Sequence, residues 1–556
     1  MAVAREQWGS SLGFVLAAIG SAVGLGNIWR FSYLTYENGG GAFLVPYVIA
    51  LLLVGIPVLL LEMALGHHAR SSTPRAFASI SPRFSWIGWW AVVFVMFGIE
   101  SYYCVIIAWC GDYFVFSPFL AWGGDANNFF FHQFLHIGDS KQALAMGLPN
   151  LPVLISLMVV WGLNWWVVGR GISGGIELAN KVMVPALFLI ILVLVGWSLM
   201  LPGGQAGIHW YLTPDWSKLA DPGVWVAAFT QIFFTLSVGF GIMTAYASYL
   251  PDRANLTRYA IITAVANSAV SFIAGFAVFA TLGFMAQQSG KPFAEVVTQS
   301  IGLAFVAYPQ AISSMPFLPQ LFGMLFFGAL FMAGISSSIS LIEAFVTAVT
   351  DKWAVNRQQV VTAVSIIGFG LSCFFTMDTG LFWLDIVDHF ITNYALTIVV
   401  ALECIVIGWF FGGQRFHRYI VDISGFRYAR HYEVLMRVLL TLGLVLAWIG
   451  LFMVENGGVG AFVGRICVLM AVLGVWLVRD WFDMAIRFVI PVITIALLDR
   501  GMVTDISAPY GDYSWDAVTT LGGGVLAVTL MVAVALDRYG SSGIGKSLAR
   551  IDGSDV

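Results

Sequence analysis

Two long apolar runs in this chain are each broken in the middle by paired glycines, and no other feature constrains the fold so strongly. Val23-Gly24-Leu25-Gly26 interrupts the run near 10–36, and Val238-Gly239-Phe240-Gly241 interrupts the run near 225–249. Each run is long enough to cross a bilayer, which takes about 20 apolar residues. Glycine inside a spanning helix frees backbone N–H and C=O groups that lipid cannot satisfy. Backbone of this kind at membrane depth lines a polar cavity or holds a ligand. Each break opens a series of about five apolar segments, the arrangement that a transporter built from inverted repeats needs at its midplane. Glycine pairs also serve plain helix packing in membranes. Here Asn27, Thr235 and Ser237 stand at the same breaks, which favours a site.

Composition sets the class. Hydrophobic residues make up 59% of the 556, charged residues 10%, and the mean hydropathy is +0.87. That describes an all-α polytopic membrane protein. Arg5 and Trp8 lead directly into the first run, which reads as a retained span and not a cleaved leader. The cysteines (Cys104, Cys110, Cys373, Cys404 and Cys467) lie mostly in apolar stretches without metal spacing. No basic, aromatic-rich segment points to nucleic acid. No HExxH, nucleophile elbow or GxGxxG in its proper context points to an enzyme or a nucleotide.

Apolar segments lie near 10–36, 42–66, 86–116, 151–168 and 179–200, then near 225–249, 257–286, 316–350, 359–376 and 384–411. Four more lie near 434–454, 460–478, 482–499 and 517–537. The total is about fourteen spans. Alternate loops concentrate positive charge, as in Arg70, Arg75 and Arg83, then Arg170 and Lys181, then Arg253 and Arg258. Lys352 and Arg357, then Arg415, Arg418, Arg427 and Arg430, continue the alternation. By the positive-inside rule both termini are expected in the cytoplasm of a multi-pass plasma (inner) membrane protein. The largest outer loops fall near 117–150 and 287–315.

Asn27 and the unwound turn beside it offer amide and carbonyl oxygens, and Ser336-Ser337-Ser338 offers hydroxyls within one helical turn. Hard cations such as Na⁺ are satisfied by such neutral oxygens. Isolated serines more often bond back to their own helix. The N-termini of half-helices at the breaks attract a carboxylate.

The stretch Arg5-x-x-Trp8, Gly20-Ser-Ala-Val-Gly-Leu-Gly-Asn27-Ile-Trp-Arg30-Phe and Asn38-Gly-Gly-Gly-Ala-Phe43 resembles the neurotransmitter:sodium symporter family, its bacterial leucine-transporting branch included. Arg170-Gly-Ile-Ser, Thr213-Pro-Asp, Asp221-Pro-Gly-Val-Trp and Gln231 to Gly241 extend the resemblance over about residues 1–412. It implies two inverted five-helix repeats, 1–200 and 201–412, with the first and sixth helices unwound. Residues 413–556 would hold the remaining helices. The family core has twelve helices, so two here are extra. Two stretches, at Tyr432 and at Trp481 through Pro491, resemble the start of the eleventh helix; the proline of the second makes about 432–479 the expected insertion, the alternative being that the extra pair is terminal.

The resemblance also implies roles. One Na⁺ would use Ala22, Asn27, Thr235 and Asn267, and a second Gly20, Val23, Ala333, Ser336 and Ser337. Tyr103 would hold a substrate carboxylate, with Phe234 and Phe240 as aromatic lid and wall. Ala22, Gly24, Leu25, Gly26, Thr235 and Ser237 complete the contacts at the breaks. Ile99, Glu100, Ser337 and Leu341 border the substrate's side chain. Arg30 and Asp388 match an outer gate pair, and Arg5 and Asp351 an inner one. Ser271 stands where chloride-independent members carry a carboxylate, so Cl⁻ is expected among Tyr47, Gln231, Thr235, Asn267 and Ser271. Ser32 replaces the proline usual after Arg-Phe.

The expected function is Na⁺-coupled symport of an amino acid or related amine-bearing small molecule by alternating access, assisted by Cl⁻. Gly24 favours an amino acid, because monoamine-carrying relatives have an aspartate there. The alternative is a substrate-gated sensor or channel on the same scaffold, which would give no counterflow overshoot. Glu100 leaves two readings open. Ionised, it would pair with a cationic substrate such as lysine; protonated, it would hydrogen-bond Ser338 and narrow the pocket.

Overall fold

The computed structural model describes residues 5–296, 300–424, 481–539 and, between them, 434, 437, 438, 441, 442 and 445. The expected insertion at 432–479, Arg427, Arg430 and Cys467 therefore lie outside the described residues or almost wholly so, as does the C-terminus. Among the described residues every regular element is helical, apart from isolated bridges such as Gly40 with Pro214.

The first apolar run forms α1 (Ser11–Ala22) and α2 (Trp29–Glu37), joined by a single tight turn over Leu25–Asn27. The two halves bend by 69°. Long helices follow: α3 (Gly41–Ala69), α4 (Pro82–Phe119), α5 (Leu151–Gly169) and α6 (Ile172–Leu199). The second broken run gives α7 (Pro222–Thr235) and the short α8 (Ile242–Ala247). Then come α9 (Leu256–Ser289), α10 (Pro319–Trp353) and α11 (Arg357–Phe374). The last described are α12 (Gly380–Ser424), α13 (Trp481–Ser507) and α14 (Trp515–Arg538). Among the described residues nine helices are long and apolar enough to cross a membrane, ten with the bent pair. The segments expected up to residue 411, and those near 482–499 and 517–537, each coincide with a helix or a broken helix.

Capping explains several boundaries. Ser10 starts α1 by accepting from the Gly13 N–H, and Asp221 starts α7 by accepting from Gly223 with Pro222 at the first helical position. At the second break three residues take left-handed backbone: Ser237 (φ 52°), Gly239 (φ 78°) and Gly241 (φ 71°). Helix cannot continue through such a run, so α7 ends and α8 starts in a new direction.

The bundle is graded from centre to rim. In its most apolar window α4 is 94% buried, whereas α6 is 28% buried and presents Leu178, Val182, Leu189 and Leu192 outward. Those exposed side chains suit lipid, because a bilayer imposes no penalty on an apolar exterior. α1 sits inside, packed among α6, α9 and α10. α3 meets α8 so closely that a Cβ on Gly66 would stand 1.9 Å from the Thr244 carbonyl oxygen. Backbone cannot yield that space cheaply, and overpacking costs about 1–3 kcal/mol. Gly66→Val is therefore expected to lower the thermal midpoint of the purified protein, measured by fluorescence-detected size exclusion. Gly162→Ala, which meets nothing within 4 Å, should leave it unchanged.

Candidate functional site

Four lines of chain converge where the two runs break. At the first break the Gly24 N–H donates to Asn27 Oδ1 (2.9 Å) and the Leu25 N–H to the Tyr103 hydroxyl of α4 (3.4 Å). The Ser21 carbonyl accepts from Ser237 (3.3 Å) and from Ser337 of α10 (3.1 Å). At the second break the Gly239 N–H donates to Glu62 of α3 (2.5 Å), and the Gly241 carbonyl accepts from Thr73 (2.9 Å). Side chains thus satisfy inside the bundle what the helices leave open.

A cavity lies between the breaks. Ala22, Gly24, Leu25, Gly26 and Asn27 form one side, and Phe234, Thr235, Ser237 and Phe240 another. Ile99 and Tyr103 of α4 and Ser337 and Leu341 of α10 close it. Among the described residues no Asp, Glu, Lys, Arg or His lines it. A Cβ on Gly24 would come within 2.9 Å of the Tyr103 hydroxyl, so only glycine leaves that end open. The Tyr103 hydroxyl, and the Leu25 N–H that now makes only a long bond to it, are donors that a carboxylate could engage.

Oxygens gather at the floor. α1 and α7 both end here, so their last carbonyls carry the negative end of two helix dipoles. The Asn267 amide of α9 faces the carbonyl oxygens of Ala22 and Thr235 at 2.9 and 3.3 Å. With its NH₂ toward them it donates to both; with its oxygen toward them, three oxygens converge and require a cation. Asn27 Nδ2 reaches the same amide at 2.7 Å, and the Thr235 hydroxyl lies 3.1 Å from its other terminal atom. The residues expected to hold a first Na⁺ are thus brought together, and their chemistry fits one. For the second set, α1 with Gly20 and Val23 packs on α10. Ser336 there donates to the Ala333 carbonyl (3.0 Å) and Ser337 to Ser21, which the sequence reading did not single out.

The residues expected around Cl⁻ adjoin the same floor. Asn27 Nδ2 donates to Ser271 (2.8 Å), and the Tyr47 hydroxyl lies 3.2 Å from Ser268. Gln231 is fully buried, and neither atom of its amide has a hydrogen-bond partner. An orphaned buried amide can donate to a small anion.

The two pairs expected at the gates differ. Arg5 binds Asp351 at 2.9 Å, lies over the Tyr249 ring at 4.6 Å and donates to Ser248. Asp351 also accepts from the Ser72 N–H (2.6 Å). A second pair backs this one: Arg357 joins the buried Glu343, which also accepts from Tyr249 (3.1 Å). At the other end Arg30 rests over the Phe234 ring at 4.6 Å, while Asp388 accepts from Tyr102 (2.5 Å). Among the described residues no ion pair joins Arg30 to Asp388. One end is latched and the other is not.

Glu100 does not line the cavity. Its carboxylate faces Ser338 and Cys104, one layer behind the wall. Sequence reading missed Glu62, Glu343 and Glu403, all fully buried. The signal was there, since each interrupts an apolar run as Glu100 does.

These features define a helical membrane protein with a polar cavity at two broken helices. The sodium:neurotransmitter symporter family model matches residues 5–127 and 122–460. An uncharacterized sodium-dependent transporter of Methanocaldococcus jannaschii is 47% identical over 420 residues, 76% of this chain and 85% of that protein. The sodium- and chloride-dependent GABA transporter 2 of Rattus norvegicus is 34% identical over 463 residues, and so is that of Homo sapiens, each covering 76% of both chains. The chain belongs to the sodium:neurotransmitter symporter family.

Glu62 gives the site its own test. Removing the acceptor strands the Gly239 N–H at a cost of about 1–3 kcal/mol, whereas glutamine keeps an oxygen there. Glu62→Ala should lower both thermal stability and substrate binding, and Glu62→Gln should retain most of both, read by thermal shift and scintillation proximity.

Proposed function

We propose that the protein carries a zwitterionic amino acid with an apolar side chain across the membrane, coupled to Na⁺ and assisted by Cl⁻. The observation that carries this reading is the meeting of the Asn267 amide with the Ala22 and Thr235 carbonyls at the ends of two half-helices. Na⁺ there would be held by Ala22, Asn27, Thr235 and Asn267, a second by Gly20, Val23, Ala333, Ser336 and Ser337. The substrate carboxylate would meet the Leu25 and Gly26 N–H groups and Tyr103, close enough to the first Na⁺ to neutralise it. Its side chain would lie among Ile99, Phe240 and Leu341. The uncharged lining supports a neutral side chain over a cationic one. Cl⁻ among Tyr47, Gln231, Thr235, Asn267 and Ser271 would offset cation charge in a low-dielectric interior.

The latched Arg5–Asp351 end, placed in the cytoplasm by the positive-inside pattern, and the unlatched Arg30 and Asp388 end support a state closed inward and open outward. Alternating closure of the two ends would carry substrate across. The sensor or channel reading has no specific observation in its favour.

Uptake into proteoliposomes tests the coupling. Leucine, valine, alanine, lysine and γ-aminobutyrate, the last from the names of the mammalian relatives, are compared in Na⁺, K⁺ and choline. Uptake of a neutral amino acid only in Na⁺ is expected; equal uptake in all three ends the proposal. Asn27→Ala should weaken Na⁺ binding about tenfold, which corresponds to about 1.4 kcal/mol, and should weaken substrate binding with it, because the two are coupled reciprocally.

Chloride has its own measurement. Replacing Cl⁻ by gluconate should slow uptake, and Ser271→Glu should make uptake indifferent to the anion by building in the missing negative charge. Full wild-type uptake without halide would remove Cl⁻ from the proposal.

A further inference from the structure

Behind the cavity wall lies a polar cluster that the transport reading leaves unused. It consists of Glu100 and Cys104 on α4, Asn164 on α5 and Ser338 on α10, of which Glu100, Asn164 and Ser338 are fully buried polar residues. Ser338 donates to Glu100 Oε1, and the Cys104 thiol does so at 2.9 Å. Asn164 Nδ2 donates to Ser338 at 2.7 Å. Glu100 Oε2 has no partner, and no cationic side chain among the described residues bonds to this carboxylate. An uncompensated buried carboxyl group is costly in a membrane interior, so the bonds from Ser338 and Cys104 are what make its burial tolerable.

The cluster has a regular relation to the cavity. Ile99 and Tyr103, which line it, precede Glu100 by one residue and follow it by three. Ser337 and Leu341, which also line it, stand in the same relation to Ser338. Residues at such offsets sit on adjoining stripes of a helix. One hydrogen bond between Glu100 and Ser338 therefore fixes the spacing of both pairs of wall residues, and Asn164 ties that bond to a third helix.

We propose that Glu100 and Ser338 form an interhelical clamp that sets the width of the substrate's side-chain pocket, with Asn164 as its anchor. These are positioning residues that act through Ile99, Tyr103, Ser337 and Leu341. The inference rests on the amino-acid symport reading above. With the clamp closed the pocket takes side chains of branched aliphatic size or smaller. With it removed, α4 and α10 separate at this level and larger side chains gain.

The test measures Kd and initial uptake for alanine, valine, leucine, phenylalanine and lysine on wild type, Glu100→Gln, Glu100→Ala, Ser338→Ala and the Glu100→Ala/Ser338→Ala double variant. Glu100→Gln is expected to keep the wild-type order, because an amide has the same shape and both hydrogen-bonding roles. Glu100→Ala and Ser338→Ala should each shift the leucine-to-phenylalanine preference toward phenylalanine by about fivefold, the effect of losing one net hydrogen bond. The half-saturating Na⁺ concentration should change far less. In the double variant the shift should be clearly smaller than the sum of the two single shifts, since both remove the Glu100–Ser338 bond. Ser338→Ala loses one oxygen and carries the comparison if Glu100→Ala does not fold. An unchanged size order in Ser338→Ala, or additive shifts, overturns the clamp. Lysine bound better than leucine by wild type, and lost in Glu100→Gln, replaces it with a direct ion pair. Absence of Na⁺-dependent binding of any amino acid defeats the transport reading itself, an outcome distinct from all of these.

Discussion

Everything at the centre of this protein follows from the need to satisfy helical backbone where no water is available. Two helices stop at membrane depth, and each leaves amides and carbonyls that lipid cannot pair. Glu62, Thr73, Tyr103, Ser237 and Ser337 take up some of them. The remainder face inward, and their polarity is sorted by direction. Carbonyls at the ends of α1 and α7 meet at Asn267, while at the first break the Leu25 N–H points to Tyr103. A site with an acceptor-rich floor and a donor-rich side suits a zwitterion and a small cation together.

The same residues couple that centre to the ends. Ser237 and Ser337 both reach the Ser21 carbonyl, so α1, α10 and the second break share one acceptor. Tyr249 lies under Arg5 and bonds Glu343, so the ion pair at the latched end is joined to α10. At the other end Arg30 sits over Phe234, which lines the cavity, while its expected partner Asp388 is held by Tyr102. In the proposed transport cycle, a shift of Phe234 would move Arg30 with it.

Much of this was legible in the chain. Gly239 and Gly241 marked one break because glycine tolerates left-handed backbone, and Gly24 and Gly26 the other because glycine admits Tyr103 and Phe234 so closely. Nearly every residue expected around the cavity lines it, since a long local motif fixes its own geometry. Glu62 and Glu403 went unread although they interrupt apolar runs just as Glu100 does. Glu100 itself was ambiguous: helical spacing puts it near Tyr103, yet spacing does not tell which flank of a helix faces a cavity and which faces a neighbour.

The sequence by itself determined the membrane class, the positions of the helices and the two unwound points, because hydrophobic length and glycine act locally. Tertiary structure decided which carboxylate meets which partner. Glu100 to Ser338, Glu62 to Gly239 and Glu343 to Arg357 are contacts between helices, and a buried charge or acid is tolerable only where another helix supplies its hydrogen bonds.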